Sequence, residues 1–315
     1  MTVVSIVTPS YNQAAYLEQT IRSVLEQDYS QIEYILIDGA STDNSVEIIR
    51  RYVDRLAYWV SEPDKGQAEA INKGFARSSG DVIAWLNSDD AYLPGAVRSA
   101  VHALEGDKDL AFVYGNMLAV DEGSHPINRL NYRQYALEDL LCFQIIGQPA
   151  VFMRRSAFDK AGGLNPAFHF MLDHHLWIRM AQSGRILHVP QTWASARYHP
   201  EAKNRARPVE FGQEAFRILE WAQGEPSLAG VFERVSRRAQ ASANRVNARY
   251  RLDGGEPARA LRFWLKALLI HPPTALARMN ILASALLNLA GFGYIREYVL
   301  RRRQAEYRGD DSVIA

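Results

Sequence analysis

Four short polar clusters each follow a run of apolar, often β-branched residues: Pro9-Ser10-Tyr11-Asn12, Asp38-Gly39-Ala40-Ser41, Glu62-Pro63-Asp64-Lys65 and Asn87-Ser88-Asp89-Asp90. Asp89 and Asp90 are adjacent and lack a basic neighbour, so they repel each other, and a shared hard cation would relieve that repulsion. Mg²⁺ and Mn²⁺ prefer oxygen ligands, which makes metal-assisted binding of a diphosphate the chemistry to consider. Asp38 closes an apolar run where an acid accepts a hydrogen bond from a ribose or a base, and Lys65 beside Gly66 could bring a cation to a phosphate. Each cluster taken singly has an ordinary alternative as a turn, a helix cap or solvated surface, with Asn12 as a cap and Lys65 as a plain exposed lysine. Farther along, Asp173 opens a helical pattern beside His174 and His175. A carboxylate there can take a proton from a hydroxyl, held ionised by the helix N-terminus, or can only cap the helix. His199 precedes the cationic stretch Lys203-Asn204-Arg205-Ala206-Arg207, which reads either as a loop closing over a diphosphate, with His199 as a metal or phosphate contact, or as a solvated linker.

The elements that must position these residues alternate in type. Val3–Thr8, Glu33–Ile37, Leu56–Val60 and Val82–Leu86 read as strands, separated by helical patterns that include Gln67–Arg77. Strands alternating with helices of about ten residues predict an α/β fold with a doubly wound, mostly parallel sheet. Ligands bind such sheets beyond the carboxyl ends of the strands, where all four polar clusters fall. Residues 140–200 are less regular, with a strand at Ala150–Met153, a Gly162-Gly163 turn and a helix from about Leu172 to Ser183. From about Val209 strand patterns disappear and helices follow, predicting a domain over 1–208 and a helical region over 209–315.

In order along the chain, Thr8-Pro9-Ser10-Tyr11-Asn12, Asp38-Gly39-Ala40-Ser41-Thr42-Asp43, Asp64-Lys65-Gly66-Gln67, Asn72-Lys73-Gly74 and Trp85-Leu86-Asn87-Ser88-Asp89-Asp90 resemble a family 2 glycosyltransferase. Gly147-Gln148-Pro149-Ala150, Gly162-Gly163 and Asp173-His174-His175-Leu176-Trp177 continue the match to about residue 200. The resemblance implies a GT-A fold, Mn²⁺ or Mg²⁺, and inverting transfer of a sugar from a nucleoside-diphosphate donor, UDP by default, to a hydroxyl of a glycan or lipid-linked acceptor. It places Pro9, Tyr11, Asp38, Asp64 and Lys65 at the nucleotide, Asn87, Asp89 and Asp90 at the metal, and Asp173 as general base. Gln148, His174 and His175 then fall at the acceptor and sugar pocket. The chain departs from the family pattern at Asn87, a neutral residue where the metal motif begins with an acid, at Gly39 in place of a second acid, and at Leu172 before Asp173. A transferase-like scaffold without activity is the alternative these departures raise. A nucleotidyltransferase would need a basic phosphate loop after the first strand, and Pro9–Ala15 contains no Lys or Arg; a glycosidase would need a second acid paired with Asp173.

The chain of 315 residues has 48% apolar and 23% charged residues, an ordinary globular composition. A single cysteine, Cys142, excludes a disulfide framework and fits a reducing, cytoplasmic setting. The formal net charge of +1 hides an acidic first two-thirds and a basic remainder. The basic part could face an anionic membrane surface or be a solvated helical face; no nucleic-acid partner is expected from the resemblance. Met279–Ile295 carries no charge and is flanked by Arg278 and Arg296, with Arg301-Arg302-Arg303 beyond. At that length it is marginal for spanning a bilayer, which leaves a buried core helix or an interfacial one.

Overall fold

The computed structural model describes residues 1–295, 298, 302 and 307. Val4–Ser10 (β1) is buried at every position, as a strand with neighbours on both edges and layers on both faces must be. It pairs in parallel with β2 (Ile32–Asp38) on one side and β4 (Val82–Trp85) on the other, and β3 (Tyr58–Ser61) pairs in parallel with β2. The remaining strands are β5 (Ala91–Tyr92), β6 (Leu110–Val120), β7 (Pro126–Leu130), β8 (Val151–Arg154) and β9 (Arg185–Arg197). The sheet order is β3-β2-β1-β4-β8-β6-β9-β5, with β7 off this path. β8 runs antiparallel to both β4 and β6, β6 and β9 are parallel, and β5 is antiparallel to β9. The parallel half is the one expected from the alternation of patterns. The other half is mixed and rests on two long strands that the sequence reading did not name, β6 and, within the irregular stretch 140–200, β9.

The helices in chain order are α1 (Ala14–Leu25), α2 (Ser45–Arg50), α3 (Gln67–Arg77), α4 (Ala96–Gly106), α5 (Leu137–Leu141), α6 (Arg155–Lys160), α7 (Leu172–Ala181), α8 (Lys203–Ala206), α9 (Pro208–Gly224), α10 (Ala229–Asp253), α11 (Pro257–Ile270), α12 (Pro272–Leu276) and α13 (Met279–Leu289). α1 buries Leu17, Ile21 and Val24, and α4 buries Val97, Ala100, Val101 and Leu104, each at helical spacing against the sheet core.

The chain forms two compact units. The first comprises Met1–Val120, Arg129–Tyr135 and Ile146–Arg197 and holds the sheet core. The second takes Asp121–Asn128, Ala136–Ile145 and the chain from Tyr198 onward. The boundary therefore falls about ten residues before 209, and two earlier segments join the helices. Within the second unit, arginines of α10 receive the carboxyl end of α5. Arg238 donates to Glu138 O and to Cys142 Sγ and pairs with Asp139, while Arg245 donates to Phe143 O. Such cations satisfy the orphan carbonyls of a helix end and its negative pole. Cys142 is buried there, and that burial raises its thiol pKa. A second apolar core gathers Trp264, Ala267 and Ala260 of α11 with Ile281 and Ala285 of α13. Arg296, Arg301 and Arg303 of the basic run lie outside the described residues. Among the described residues, no helix is long and apolar enough to cross a membrane.

Candidate functional site

Strand register brings the polar clusters to one edge of the sheet. Ser10 is level with Asp38 across β1 and β2, Asp38 with Ser61 across β2 and β3, and Val7 with Trp85 across β1 and β4. Pro9 is buried within β1, and Tyr11, just past its end, is 62% exposed. The residues following each strand, including Asp64 and Asn87–Asp90, thus lie along the carboxyl edge of the parallel strands in the first unit.

Asp38 is fully buried and organises the loops around it. Its Oδ1 accepts from Ser41 Oγ at 2.5 Å, and its Oδ2 from Ser41 N at 2.9 Å and Ser61 Oγ at 2.6 Å. Asn12 adopts φ 51° and latches this turn through Thr42 N, which donates to its Oδ1 at 2.8 Å. It is not the helix cap expected from its position: the N-cap of α1 is Gln13, and the Ala14 amide is instead met by Asp43 Oδ2 at 2.9 Å.

Asp64 points across this turn. Its Oδ1 accepts from Gly66 N at 2.8 Å, and its Oδ2 lies over Gly39, only 2.8 Å from where a Cβ on that glycine would sit. Tyr11 Cδ2 is 3.4 Å from the same point. The absence of a side chain at 39 is therefore what admits the Asp64 carboxylate beside the exposed Tyr11 ring. Gly66, at φ 118°, turns the chain into α3, a backbone that an L side chain resists. Lys65 is exposed, its amide bonded to Glu69 Oε2.

In the Asn87–Asp90 loop the side chains divide. Asn87 Oδ1 accepts from Gln67 Nε2 at 2.6 Å and its Nδ2 donates to Asp90 Oδ2 at 3.2 Å. Asp90 is buried, and its Oδ1 accepts from Arg197 N at 3.0 Å. Burial first, and then the Asp89 charge, push the Asp90 carboxyl well above the usual carboxylate range. Both Asp90 oxygens are thus committed within the protein, and Asp89 is the partly exposed acid of the loop. Among the described residues no three His, Cys, Asp or Glu side chains converge as a metal cage. One carboxylate plus diphosphate oxygens and waters is, however, a normal donor set for Mg²⁺, so the residues present fit a metal that arrives with its nucleotide.

Arg197 is the residue that sequence reasoning missed. Its Nε donates to Asp89 O at 3.1 Å, its Nη2 to Gln19 Oε1 at 2.6 Å, and its guanidinium lies 4.7 Å from the Tyr16 ring centroid. It holds the Asp89-Asp90 loop by backbone and side chain, although nothing in the sequence marks it except its place at the end of a strand. Gln67, in the first turn of α3, belonged to the family-like motif, but its bond to Asn87 was not legible there.

Asp173 lies in the first turn of α7, past its N-cap Met171, and its Oδ1 accepts from His174 N at 2.8 Å. α7 is tied to the strand that carries the Asn87–Asp90 loop: Trp177 stacks on Trp85 at 5.3 Å and packs on Phe112 at 5.1 Å. Such aromatic pairs contribute about 0.5–1.5 kcal/mol beyond their buried area. Arg179, its pKa lowered by burial to about 10, donates to Ala161 O and Gly163 O and so anchors α7 on the Gly162-Gly163 turn. His174 and His175 are both 1% exposed, and His175 stacks on Phe168 at 4.1 Å. Gln148 is buried, with Nε2 donating to Trp85 O at 2.7 Å. His199 is buried at the start of the second unit, where its carbonyl accepts from Ala202 N.

Residues 5–162 match the family described as Glycosyl transferase family 2. An uncharacterized glycosyltransferase of Mycobacterium tuberculosis is 34% identical over 185 residues, which cover 56% of this chain and 68% of that one. Among solved structures, S. aureus TarS 1–349 in complex with UDP-GlcNAc is similar, with a TM-score of 0.61 at 13% identity over 91% of this chain and 92% of that one. A mannosyltransferase from Pyrobaculum calidifontis, in complex with GDP-Man and Mn²⁺, has a TM-score of 0.63 at 19% identity over 98% of this chain and 88% of that one.

Proposed function

The chain belongs to glycosyl transferase family 2 and has the GT-A fold, and from that premise we propose that it transfers a sugar from a UDP-linked donor, with inversion, to a hydroxyl of a glycan or lipid-linked acceptor, working peripherally at a membrane surface. The observation that carries the donor reading is the Asp64 carboxylate seated over Gly39 beside the exposed Tyr11 ring. An exposed aromatic ring is a platform on which a base stacks, worth about 1–3 kcal/mol per base. A carboxylate oxygen accepts an imide N–H. Asp64 Oδ1 accepts from Gly66 N, and its Oδ2, directed over Gly39, suits the single imide N–H of uracil. Asp38 shapes this site by holding Ser41 and Ser61, and Lys65 is the nearby cation for phosphate.

Asp89 would hold Mn²⁺ or Mg²⁺ together with the diphosphate, and Asn87 and Asp90 would hold the loop. When bound, the metal neutralises charge on the departing diphosphate. The chain's own groups do the rest. Asp173 accepts the acceptor hydroxyl proton as the new bond from that oxygen to the anomeric carbon forms. The bond from the anomeric carbon to the diphosphate oxygen breaks on the opposite face, its electron pair leaving with UDP. A positioned base contributes on the order of 10²–10⁴-fold.

The test is a thermal-shift panel of UDP, CDP and GDP with Mn²⁺, repeated on Asp64→Ala. Specific ligands stabilise in proportion to occupancy, by about 2.7 kcal/mol at a hundred times Kd. UDP is expected to give the largest shift and Asp64→Ala to lose it; a larger shift with GDP overturns the uridine reading.

A further inference from the structure

The second unit has a surface that donor chemistry does not use. A helix packed on a core normally turns a polar face to water. α13 does not: Ile281 and Ala285 are its buried residues, while Met279, Ala283, Leu286 and Leu289 are exposed. It is therefore not a buried core helix, one of the two readings its sequence allowed. α11 continues the theme, with Leu265 and Leu269 exposed, the latter at 82%. Leu276, Phe292, Tyr294 and Tyr298 are exposed as well, whereas before residue 257 the described large hydrophobic side chains exposed to this degree are only Met1, Tyr11, Val53 and Ile145.

Charge identifies what could cover this face. Residues 257–295 contain Arg259, Arg262, Lys266 and Arg278 and no Asp or Glu. On α11, Arg262 and Lys266 alternate with Leu265 and Leu269 along the exposed face, and Arg278 directly precedes α13. Apolar side chains interleaved with cations, and no acids, match an anionic phospholipid surface, whose phosphates meet the cations while its acyl boundary takes the leucines. At 11 residues α13 is too short to span the hydrocarbon and of a length to lie in the interface.

We propose that the exposed faces of α11 and α13 dock on an anionic phospholipid bilayer, with Leu286 and Leu289 entering the headgroup–acyl boundary and Arg262, Lys266 and Arg278 on phosphates. This deepens the peripheral placement proposed above and is independent of the transfer chemistry. The test is sedimentation of the full chain with vesicles of phosphatidylcholine alone or with 30 mol% (approximately) phosphatidylglycerol, at low and at physiological salt. Binding to the anionic vesicles is expected, weakening with salt. Leu286→Ser with Leu289→Ser should weaken it about tenfold or more, and each of Arg262→Gln, Lys266→Gln and Arg278→Gln about fivefold. Because these side chains are exposed, the variants should keep the parent circular dichroism and melting. Binding that all of these variants leave unchanged overturns this surface while sparing the peripheral reading. Absence of binding to any vesicle overturns both. Self-association in the ultracentrifuge that Leu286→Ser with Leu289→Ser abolishes, without vesicle binding, assigns the face to a second copy and overturns the proposal.

Discussion

At position 87 a neutral amide stands where the family's metal motif begins with an acid, and the structure gives it a use. Asn87 donates to Asp90 and accepts from Gln67, a pairing that needs both halves of the amide. A carboxylate at 87 would face the Asp90 carboxylate across 3.2 Å and lose the donor. Asn87→Asp is therefore expected to lower stability by about 1–3 kcal/mol near neutral pH, measured by denaturant unfolding without metal. Asp173 poses a sharper question. It lies inside α7, beyond the N-cap Met171, and satisfies the His174 amide of the first turn, so a helix-end role stands beside the proposed base. Asp173→Asn keeps size and an acceptor for that amide but cannot take a proton. Transfer should fall roughly 10²–10⁴-fold while Kd for UDP, by calorimetry, stays within about twofold. Near-normal turnover would remove it as the base. The residues proposed to do chemistry stood out in the sequence because their types are rare in such spacing; the holding contacts of Arg197 and Gln67 did not, since their partners lie 108 and 20 residues away.

At the scale of elements, loops cap helices other than their own. Asp43 follows β2 yet meets the first amide of α1, and its other oxygen accepts from Ser45 N at the start of α2. One side chain thus fixes two helix N-termini beside the nucleotide loops. Burial raises the Asp43 pKa, but hydrogen bonds from Ser45 and the Ala14 amide outweigh it and hold the carboxyl below its ordinary value. With the folded value below the unfolded one, the stabilisation is complete above the unfolded pKa, about 3.9, and is lost as pH falls through the folded value. Asp43→Ala should accordingly cost about 1–2 kcal/mol at pH 7, with the gap to the parent closing as the pH is taken below the ordinary carboxylate range; a gap independent of pH would mean packing, not the charged cap, is lost. Local patterns gave the parallel strands and α3 because each is bounded by its own turn signals. β6 and β9 escaped because their pairing spans some seventy residues, as in Tyr114 opposite His188, and interrupts itself with register shifts between Tyr114 and Asn116. Periodicity carries no information about such partners.

For the whole molecule, the residues proposed to hold the donor, Tyr11, Asp38, Asp64, Lys65 and Asp89, belong to the first unit, whereas the apolar, cationic faces of α11 and α13 belong to the second. The charge asymmetry of the sequence pointed to two regions, but not to Asp121–Asn128 and Ala136–Ile145 joining the helices, because segment exchange leaves no mark in composition. Ligand-induced protection should follow that division. On the proposed reading UDP with Mn²⁺ would order groups at the carboxyl ends of β1 to β4, so amide exchange there should slow as the opening equilibrium is opposed by binding. The protected set is expected to include Ser41, Gly66 and Asp90, whose amides lie in the loops around Asp38, Asp64 and Asp89. EDTA should return those amides to their unliganded rates, because the diphosphate then loses the cation that Asp89 shares with it. Anionic vesicles should do the converse, slowing exchange in α11 and α13 while leaving the β1–β4 loops at their unliganded rates. Hydrogen-exchange mass spectrometry on the full chain with each ligand separately reads both patterns in one experiment. Protection by UDP that persists in excess EDTA would show that the diphosphate is held by Lys65 and backbone amides alone, and the metal would then have to be withdrawn from the site.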